Sequence, residues 1–391
     1  MINRRDFFKI VGLGAAAVAC GCESLEYHFR EKTPLENAGL EEIVDNPSYG
    51  SRIAFVAELP NHKKELWTVN PDGSNLKKLF SGLYHDRVQF SPNGQYLALA
   101  TKRELSMIPG MAVLNRNGKI IRDFNCLGIC SEEDFIWLPD GKNIAFGFYC
   151  DGINYFDLNK VDACGSILRQ KLTEDVPLTY NHNPAVSPDG KTLAFVHHEW
   201  GKNASIWTVN LKSIENQPGY SDKIYRNKRN GFEFIDGYKT SHDEDLSLSW
   251  LDNENLIFSF DSKKKIFLKN VETNQEKIII PETKFTSFKV SPDRNFLAVY
   301  DSQGVGQLSF VDINDLGKTQ FSWRSPNIGQ GVTAFDWSPD SRYFAVAKNK
   351  EMKIYDRTLQ QYTFDLPKED LGAITNIVWS PGFFTLGQVK Q

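Results

Sequence analysis

Short runs of apolar residues recur along this chain, and each is closed off by a tight polar turn. Tyr96-Leu97-Ala98-Leu99-Ala100, Ile144-Ala145-Phe146-Gly147 and Thr192-Leu193-Ala194-Phe195-Val196 are three of them. Runs of this length and composition, flanked by Pro, Gly, Asn and Asp, predict strands rather than helices. One phrase stands before them repeatedly: an aromatic or aliphatic pair, then Ser-Pro-Asp/Asn-Gly or a variant. Pro presets φ and Gly accepts φ > 0, so the phrase fixes a tight turn between two strands.

The phrase occurs seven times. Measured at the proline, the copies stand at Pro92, Pro139, Pro188, the degraded Asp252, Pro292, Pro339 and Pro381. Five of the six intervals are 40–49 residues; the fourth copy follows the third by 64, which predicts an insertion around residues 213–245. Each unit adds a third strand, such as Ser205-Ile206-Trp207-Thr208-Val209-Asn210, and a weaker fourth. A four-stranded unit repeating at this period predicts the blade of a β-propeller. At the N-terminal side, Arg52–Val56 matches a second strand and Glu65–Asn75 a third strand with its turn. At the other end, Ile377–Pro381 supplies a first strand with little chain after it. The expectation is an all-β, seven-bladed β-propeller over 51–391, closed by pairing the C-terminal strand with the N-terminal blade, so that no open edge remains.

Leu66-Trp67-Thr68-Val69-Asn70-Pro71-Asp72-Gly73-Ser74-Asn75, together with the Ser-Pro-Asp-Gly turns, resembles the TolB-like, WD-type propeller repeats. The resemblance spans nearly the whole chain after the N-terminal segment. It implies the fold and is almost silent on function, because propellers host enzymes and binding modules alike.

Composition agrees with a packed domain. Hydrophobic residues are 41% and charged residues 24% of the 391, which excludes a disordered tail protein and a polytopic membrane protein. Aromatic residues at 13% favour strands. A net charge of −4 excludes a broadly basic nucleic-acid binder.

The first 22 residues read as an address. Asn3-Arg4-Arg5-Asp6-Phe7-Phe8-Lys9 resembles the twin-arginine export motif. The apolar run from Phe7 to Ala19 is too short to span a bilayer as a mature helix. It ends in Ala17-Val18-Ala19-Cys20, which resembles a bacterial lipobox with Cys20 as the lipidated residue; Cys22 is a second, poorer register. With Gly21 after Cys20, resemblance to lipoprotein sorting implies an outer-membrane anchor, facing the periplasm or the cell surface. A plain cleaved signal is the other reading. Residues 1–19 carry Arg4, Arg5 and Lys9 against Asp6, so their removal takes the net charge of −4 to −6. Residues 23–50 predict a tether. Within it, Thr33-Pro34-Leu35-Glu36 is a capping box that starts a short helix over 34–44.

Two groups of residues carry candidate chemistry. Cys126, Cys130, Cys150 and Cys164 lie in or beside one blade. In an oxidising compartment they pair as disulfides in one of three connectivities, or stay as buried thiols; their spacing is not that of a zinc ribbon. His85, His182 and His242 stand before the first strands of their blades. Glu132 and Glu133 hold the equivalent place in another blade, and Asp243 and Asp245 lie beside His242. These imidazoles and carboxylates converge on one face near the axis, either as a ligand site able to hold a divalent metal (Mn, Ca or Zn) or as solvated residues around a wet funnel.

His182-Asn183-Pro184-Ala185-Val186-Ser187-Pro188, then Phe195-Val196-His197-His198-Glu199-Trp200, then Ser241-His242-Asp243 before Trp250, is similar to oligogalacturonate lyases over residues 180–260. That resemblance implies metal-assisted β-elimination of pectin fragments, with His182, His198 and His242 as metal ligands or base. The sequence contains no P-loop, no Gly-x-Ser-x-Gly elbow and no haem-attachment motif. The expected function is therefore an exported, lipid-anchored, monomeric propeller that binds or scaffolds an envelope protein or a glycan. A metal-dependent polysaccharide lyase is the alternative.

Overall fold

The computed structural model describes residues 50–101, 110–124, 135–148, 152–161, 167–171, 179–199, 205–211, 230–233, 246–260, 265–280, 287–300, 306–315, 328, 330–358, 360–363, 366 and 371–382. Cys20, the 34–44 helix, Cys126, Cys130, Glu132, Glu133, Cys150, Cys164, His242, Asp243 and Asp245 lie outside them.

Among the described residues the chain is strand and turn, with one 3₁₀ turn at Ile313–Asp315. In chain order the strands are β1 (Ile53–Glu58), β2 (Lys64–Val69), β3 (Lys77–Phe90), β4 (Tyr96–Thr101), β5 (Gly110–Asn115) and β6 (Ile120–Phe124). Next come β7 (Phe135–Trp137), β8 (Asn143–Phe148), β9 (Gly152–Val161), β10 (Ile167–Lys171), β11 (Thr179–Val186), β12 (Thr192–Glu199), β13 (Ser205–Asn210) and β14 (Asn230–Glu233). The rest are β15 (Leu246–Trp250), β16 (Asn255–Phe260), β17 (Lys265–Asn270), β18 (Glu276–Ile280), β19 (Ser287–Val290), β20 (Phe296–Tyr300), β21 (Leu308–Asp312), β22 (Ala334–Trp337), β23 (Tyr343–Lys348), β24 (Glu351–Asp356), β25 (Gln361–Thr363) and β26 (Ala373–Trp379).

These strands form antiparallel sheets of consecutive neighbours: β7 to β10, β11 to β14, β15 to β18, the three-stranded β19 to β21, and β22 to β25. The remaining sheet has seven strands in the order β26-β1-β2-β3-β4-β5-β6. It is two units joined by β3, a 14-residue strand. The first part of β3 pairs with β2 and its last part with β4, across a register break between Leu83 and Val88. What reads in sequence as the fourth strand of one unit and the first strand of the next is one continuous element.

The turn phrase holds itself together through its serine. At Ser91, Ser187, Ser291 and Ser338 the hydroxyl donates to the Asn or Asp two residues on, at 2.6–2.7 Å. The same oxygen accepts the backbone N–H five residues on, from Tyr96, Thr192, Phe296 and Tyr343, at 2.9–3.0 Å. One hydroxyl thus uses its donor and a lone pair to lock a turn whose serine is almost fully buried. The position after the Asp or Asn is left-handed. Gly94 (φ 69°) and Gly190 (φ 71°) take it at no steric cost, whereas Arg294 (φ 60°) and Ser341 (φ 58°) hold it without glycine.

The last turn is completed from the other end of the chain. Arg52 N–H donates to the Ser380 hydroxyl at 2.7 Å, and Ser380 N–H donates to the Arg52 carbonyl at 2.8 Å. Arg52 occupies the seat that Tyr96, Thr192, Phe296 and Tyr343 fill in their own turns. From there β26 pairs with β1, Ile53 opposite Trp379 and Phe55 opposite Ile377.

Both faces of most sheets are packed, which is why strands such as β1 (IAFVAE) and β4 (YLALAT) read apolar almost throughout. One face of β1 and β26 lies with Tyr343, Ala345 and Ile354 of the sheet β22 to β25. The other packs Ala54, Val56 and Leu66 against Leu97, Leu99 and Leu114. Ile53, Phe55 and Val56 have no exposed surface; burying each contributes about 1.5–3 kcal/mol.

Candidate functional site

The strand that leads into each Ser-Pro turn lies against the corresponding strand of its neighbours. β22 touches β26, β26 touches β3, β3 touches β7, β7 touches β11, β11 touches β15 and β15 touches β19. Between β19 and β22, Lys289 Nζ donates to the Phe335 carbonyl at 2.8 Å.

Two residues before the turn these strands carry Gln89, Ile136, Ala185, Ser249, Lys289, Asp336 and Val378. All but Ala185 are partly exposed, while the flanking Phe90, Trp137, Trp250, Trp337 and Trp379 are buried. Strand alternation therefore turns this row to solvent and the aromatics into the sheet interfaces. The polar members of the row tie neighbouring strands together. Gln89 accepts the Trp137 backbone N–H through Oε1 and the Trp137 indole N–H through its carbonyl, both at 3.1 Å. Lys289 also reaches Asp336 Oδ1 at 3.0 Å, and Asp336 Oδ2 accepts the Trp379 N–H at 2.8 Å. Both carboxylate oxygens of Asp336 are thereby taken up by the fold.

The turn ends of the leading strands carry carboxylates held in the charged form. At Asp189 the Lys191 ammonium and the Ser187 hydroxyl pull the carboxyl down to about 2. At Asp293 burial pushes the other way, but donors from Arg357, Ser291 and Asn295 together outweigh it and hold the group at about 2. Asp189 is occupied by its own turn, and Asp293 by its own turn together with Arg357 from the neighbouring sheet.

The opposite ends of three leading strands are irregular. β3 breaks register between Leu83 and Val88, β11 between His182 and Ala185, and β26 opposite Val56/Ala57. Bulges re-aim side chains out of the pleat. In β11 the bulge places Asn183 at φ 51°, with His182 and Asn183 both buried. In β3 and β26 it produces a polar cluster. Asp86 Oδ1 meets Lys64 Nζ at 3.0 Å and accepts the Thr375 hydroxyl at 2.9 Å. Asn376 Nδ2 donates to the Asp86 carbonyl at 2.7 Å. Beside it, Arg87 donates to the Phe135 carbonyl, while its buried Nε has no partner among the described residues.

Of the residues singled out in sequence, His85 is half-buried in β3, and His182 lies inside β11, 8% exposed. Neither precedes its strand as expected: the bulges let the strands run on past the point where the periodic pattern stops. The two are also not equivalent. Asp86, His182 and Thr375 each stand five residues before their turn residue, whereas His85 stands six before. The backbone register sets His198 opposite Tyr180, diagonal to His182 across β11 and β12. His197, its neighbour, stacks at a tilt on Trp207, 4.4 Å between ring centres. Among the described residues no three His, Cys, Asp or Glu side chains come together to hold a metal ion.

Lys64, Asp86, Thr375 and Asn376 were not singled out in sequence. The one available signal was positional: Asp86 and Thr375 share an offset from the turn.

A family model for the WD domain, G-beta repeat, matches residues 320–356. Among curated proteins, none matches the chain. Among solved structures, a protein from Lactobacillus plantarum is similar at 11% identity and TM-score 0.54, over 85% of this chain and 100% of that one. Prolyl oligopeptidase B from Galerina marginata is similar at 12% identity and TM-score 0.53, over 83% of this chain and 53% of that one, so the likeness spans about half of that protein. TolB from Acinetobacter baumannii is similar at 15% identity and TM-score 0.45, over 85% of this chain and 67% of that one. At these identities the first two likenesses show the fold alone, and together with the WD-repeat match that fold is a β-propeller.

Proposed function

We propose that this chain is a seven-bladed β-propeller, exported through its N-terminal signal, tethered by lipid at Cys20 and acting as a protein- or glycan-binding module at the cell envelope. Support for seven blades comes from the leading strands, whose succession of neighbours, β26-β3-β7-β11-β15-β19-β22, returns to β26. Support for closure comes from Arg52, which completes the Ser380 turn.

The observation that carries the binding role is the contrast between the two ends of those strands. At the turn ends Asp189 and Asp293, and in the row Asp336, have their carboxylates held by donors of the fold itself. At the bulged ends, Asp86, Lys64 and Asn376 keep unused hydrogen-bonding capacity beside partly exposed surface. The lyase alternative rests on His182, His198 and His242. It draws support from the register that brings the first two onto adjacent strands.

The test is fractionation of a bacterial host that expresses the chain. The full chain is expected in the membrane fraction, carrying a palmitate label that Cys20→Ser removes together with membrane retention. Recovery of the unsubstituted chain in the cytoplasm, unlabelled, contradicts the proposal.

A further inference from the structure

The cluster at the bulged ends is built from both ends of the chain: Lys64 on β2, Asp86 on β3, and Thr375 with Asn376 on β26. Its electrostatics narrow what it can hold. The Asp86 carboxylate and the Lys64 ammonium sit 3.0 Å apart with side chains 32% and 19% exposed. The pair has no net charge, so a cation arriving at the carboxylate faces the ammonium, and an anion arriving at the ammonium faces the carboxylate.

What remains is hydrogen bonding of both senses. Asp86 Oδ1 is taken by Lys64 and Thr375, but Oδ2 has no partner among the described residues. Lys64 gives one of its three N–H groups to Asp86, which leaves two. Asn376 gives one N–H to the Asp86 carbonyl and keeps its Oδ1 and a second N–H. Acceptors and donors thus alternate: Asp86 Oδ2, Lys64 Nζ, Asn376 Oδ1 and Asn376 Nδ2. The hydroxyl group donates and accepts at once, and a pair of neighbouring hydroxyls matches a carboxylate oxygen set beside an ammonium. Hydrogen bonds to charged partners are the stronger class, which gives the Asp86–Lys64 pair grip although its own two charges cancel.

We infer that Lys64, Asp86 and Asn376 form a binding site for a neutral polyhydroxylated ligand, a saccharide with vicinal hydroxyls. Thr375 is a positioning residue, since its hydroxyl holds Asp86 Oδ1 and leaves Oδ2 to the ligand. This rests on the binding role proposed above and assigns the ligand class of that face.

The experiment titrates the full chain with glucose, galactose, mannose, N-acetylglucosamine and their disaccharides, by calorimetry and saturation-transfer NMR. At least one is expected to bind saturably. Asp86→Asn and Asn376→Ala should each weaken it by about tenfold or more, the loss expected for a hydrogen bond to a charged or polar site group. Thermal melts of the same variants should stay close to the unsubstituted chain, because these side chains are partly exposed and outside the core. The inference is overturned if none of the saccharides binds, if both variants bind as the unsubstituted chain does, or if inorganic phosphate or a divalent cation binds there instead. Any of these outcomes leaves the membrane fractionation result untouched, so failure of the ligand assignment is distinguishable from failure of the envelope role.

Discussion

Removing residues 371–391 leaves a chain without a cooperative thermal transition. The truncation strips β26 from β1, which exposes Ile53, Phe55 and Ala57, all at 0% in the intact fold. It also removes Ile374 and Ile377, both at 0%, and Trp379 at 6%. Deleting one buried Ile or Trp side chain costs about 2–5 kcal/mol. Losing three, with the β26–β1 ladder and the Ser380 latch, exceeds the roughly 5–15 kcal/mol that holds a domain folded. A circular-dichroism melt checks this: the truncated chain should show a broad, shallow loss of signal and bind a hydrophobic dye at 25 °C. A sharp transition within a few degrees of the intact chain contradicts it. The same deletion takes Thr375 and Asn376 from the polar cluster, so the seam that stabilises the fold also builds the proposed site.

Replacing Glu276 with Ala should destabilise the protein by about 3–5 kcal/mol, while Lys269→Met combined with Glu276→Leu should be neutral or stabilising. Lys269 on β17 has no exposed side-chain surface, and Glu276 on β18, 3.3 Å away, is 8% exposed. The two stand opposite each other in the ladder, and Leu256 flanks Lys269 on the other side. Taking two charges out of water costs several kcal/mol per ion, which their attraction only offsets when both are present. Removing the carboxylate leaves an ammonium in the interior without the carboxylate that faces it at 3.3 Å. Removing both charges avoids the desolvation cost and fills the space with apolar volume. Urea midpoints of the two variants decide it: the single should fall well below the unsubstituted chain and the double should match or exceed it. Equal loss in both would mean that the pair contributes specific bonds that apolar side chains cannot replace.

The parts of this architecture that are chemically local were legible in the sequence. The Ser-Pro-Asp-Gly turn announces itself because its serine, its Asp and its Gly each do a separate job within seven residues. The orphan first strand at Ile377–Trp379 and the unit lacking one at Arg52–Val56 signalled their own pairing. What the sequence concealed depends on register. The fusion of two strands into β3 follows from a break between Leu83 and Val88 that no periodicity marks. The same break separates His85 from the position of His182, so counting back to the nearest imidazole aligned residues that are not equivalent. Lys269 is a charged residue within KIFLKN, and nothing in that string marks it as fully buried, which it is. The cluster of Lys64, Asp86, Thr375 and Asn376 was invisible because its members come from three strands and converge only when the two ends of the chain meet.

The most direct test of that meeting is native-state hydrogen exchange at the seam, read by mass spectrometry on peptides covering 53–58 and 373–379. Chain ends ordinarily fray and exchange fast. If β26 closes onto β1, both peptides exchange only through global unfolding, at the slowest rates in the protein and with the same free energy as β4 and β23. Fast exchange of 373–379, with β4 still protected, would show the two ends apart and contradict both the closed fold and the site built across it.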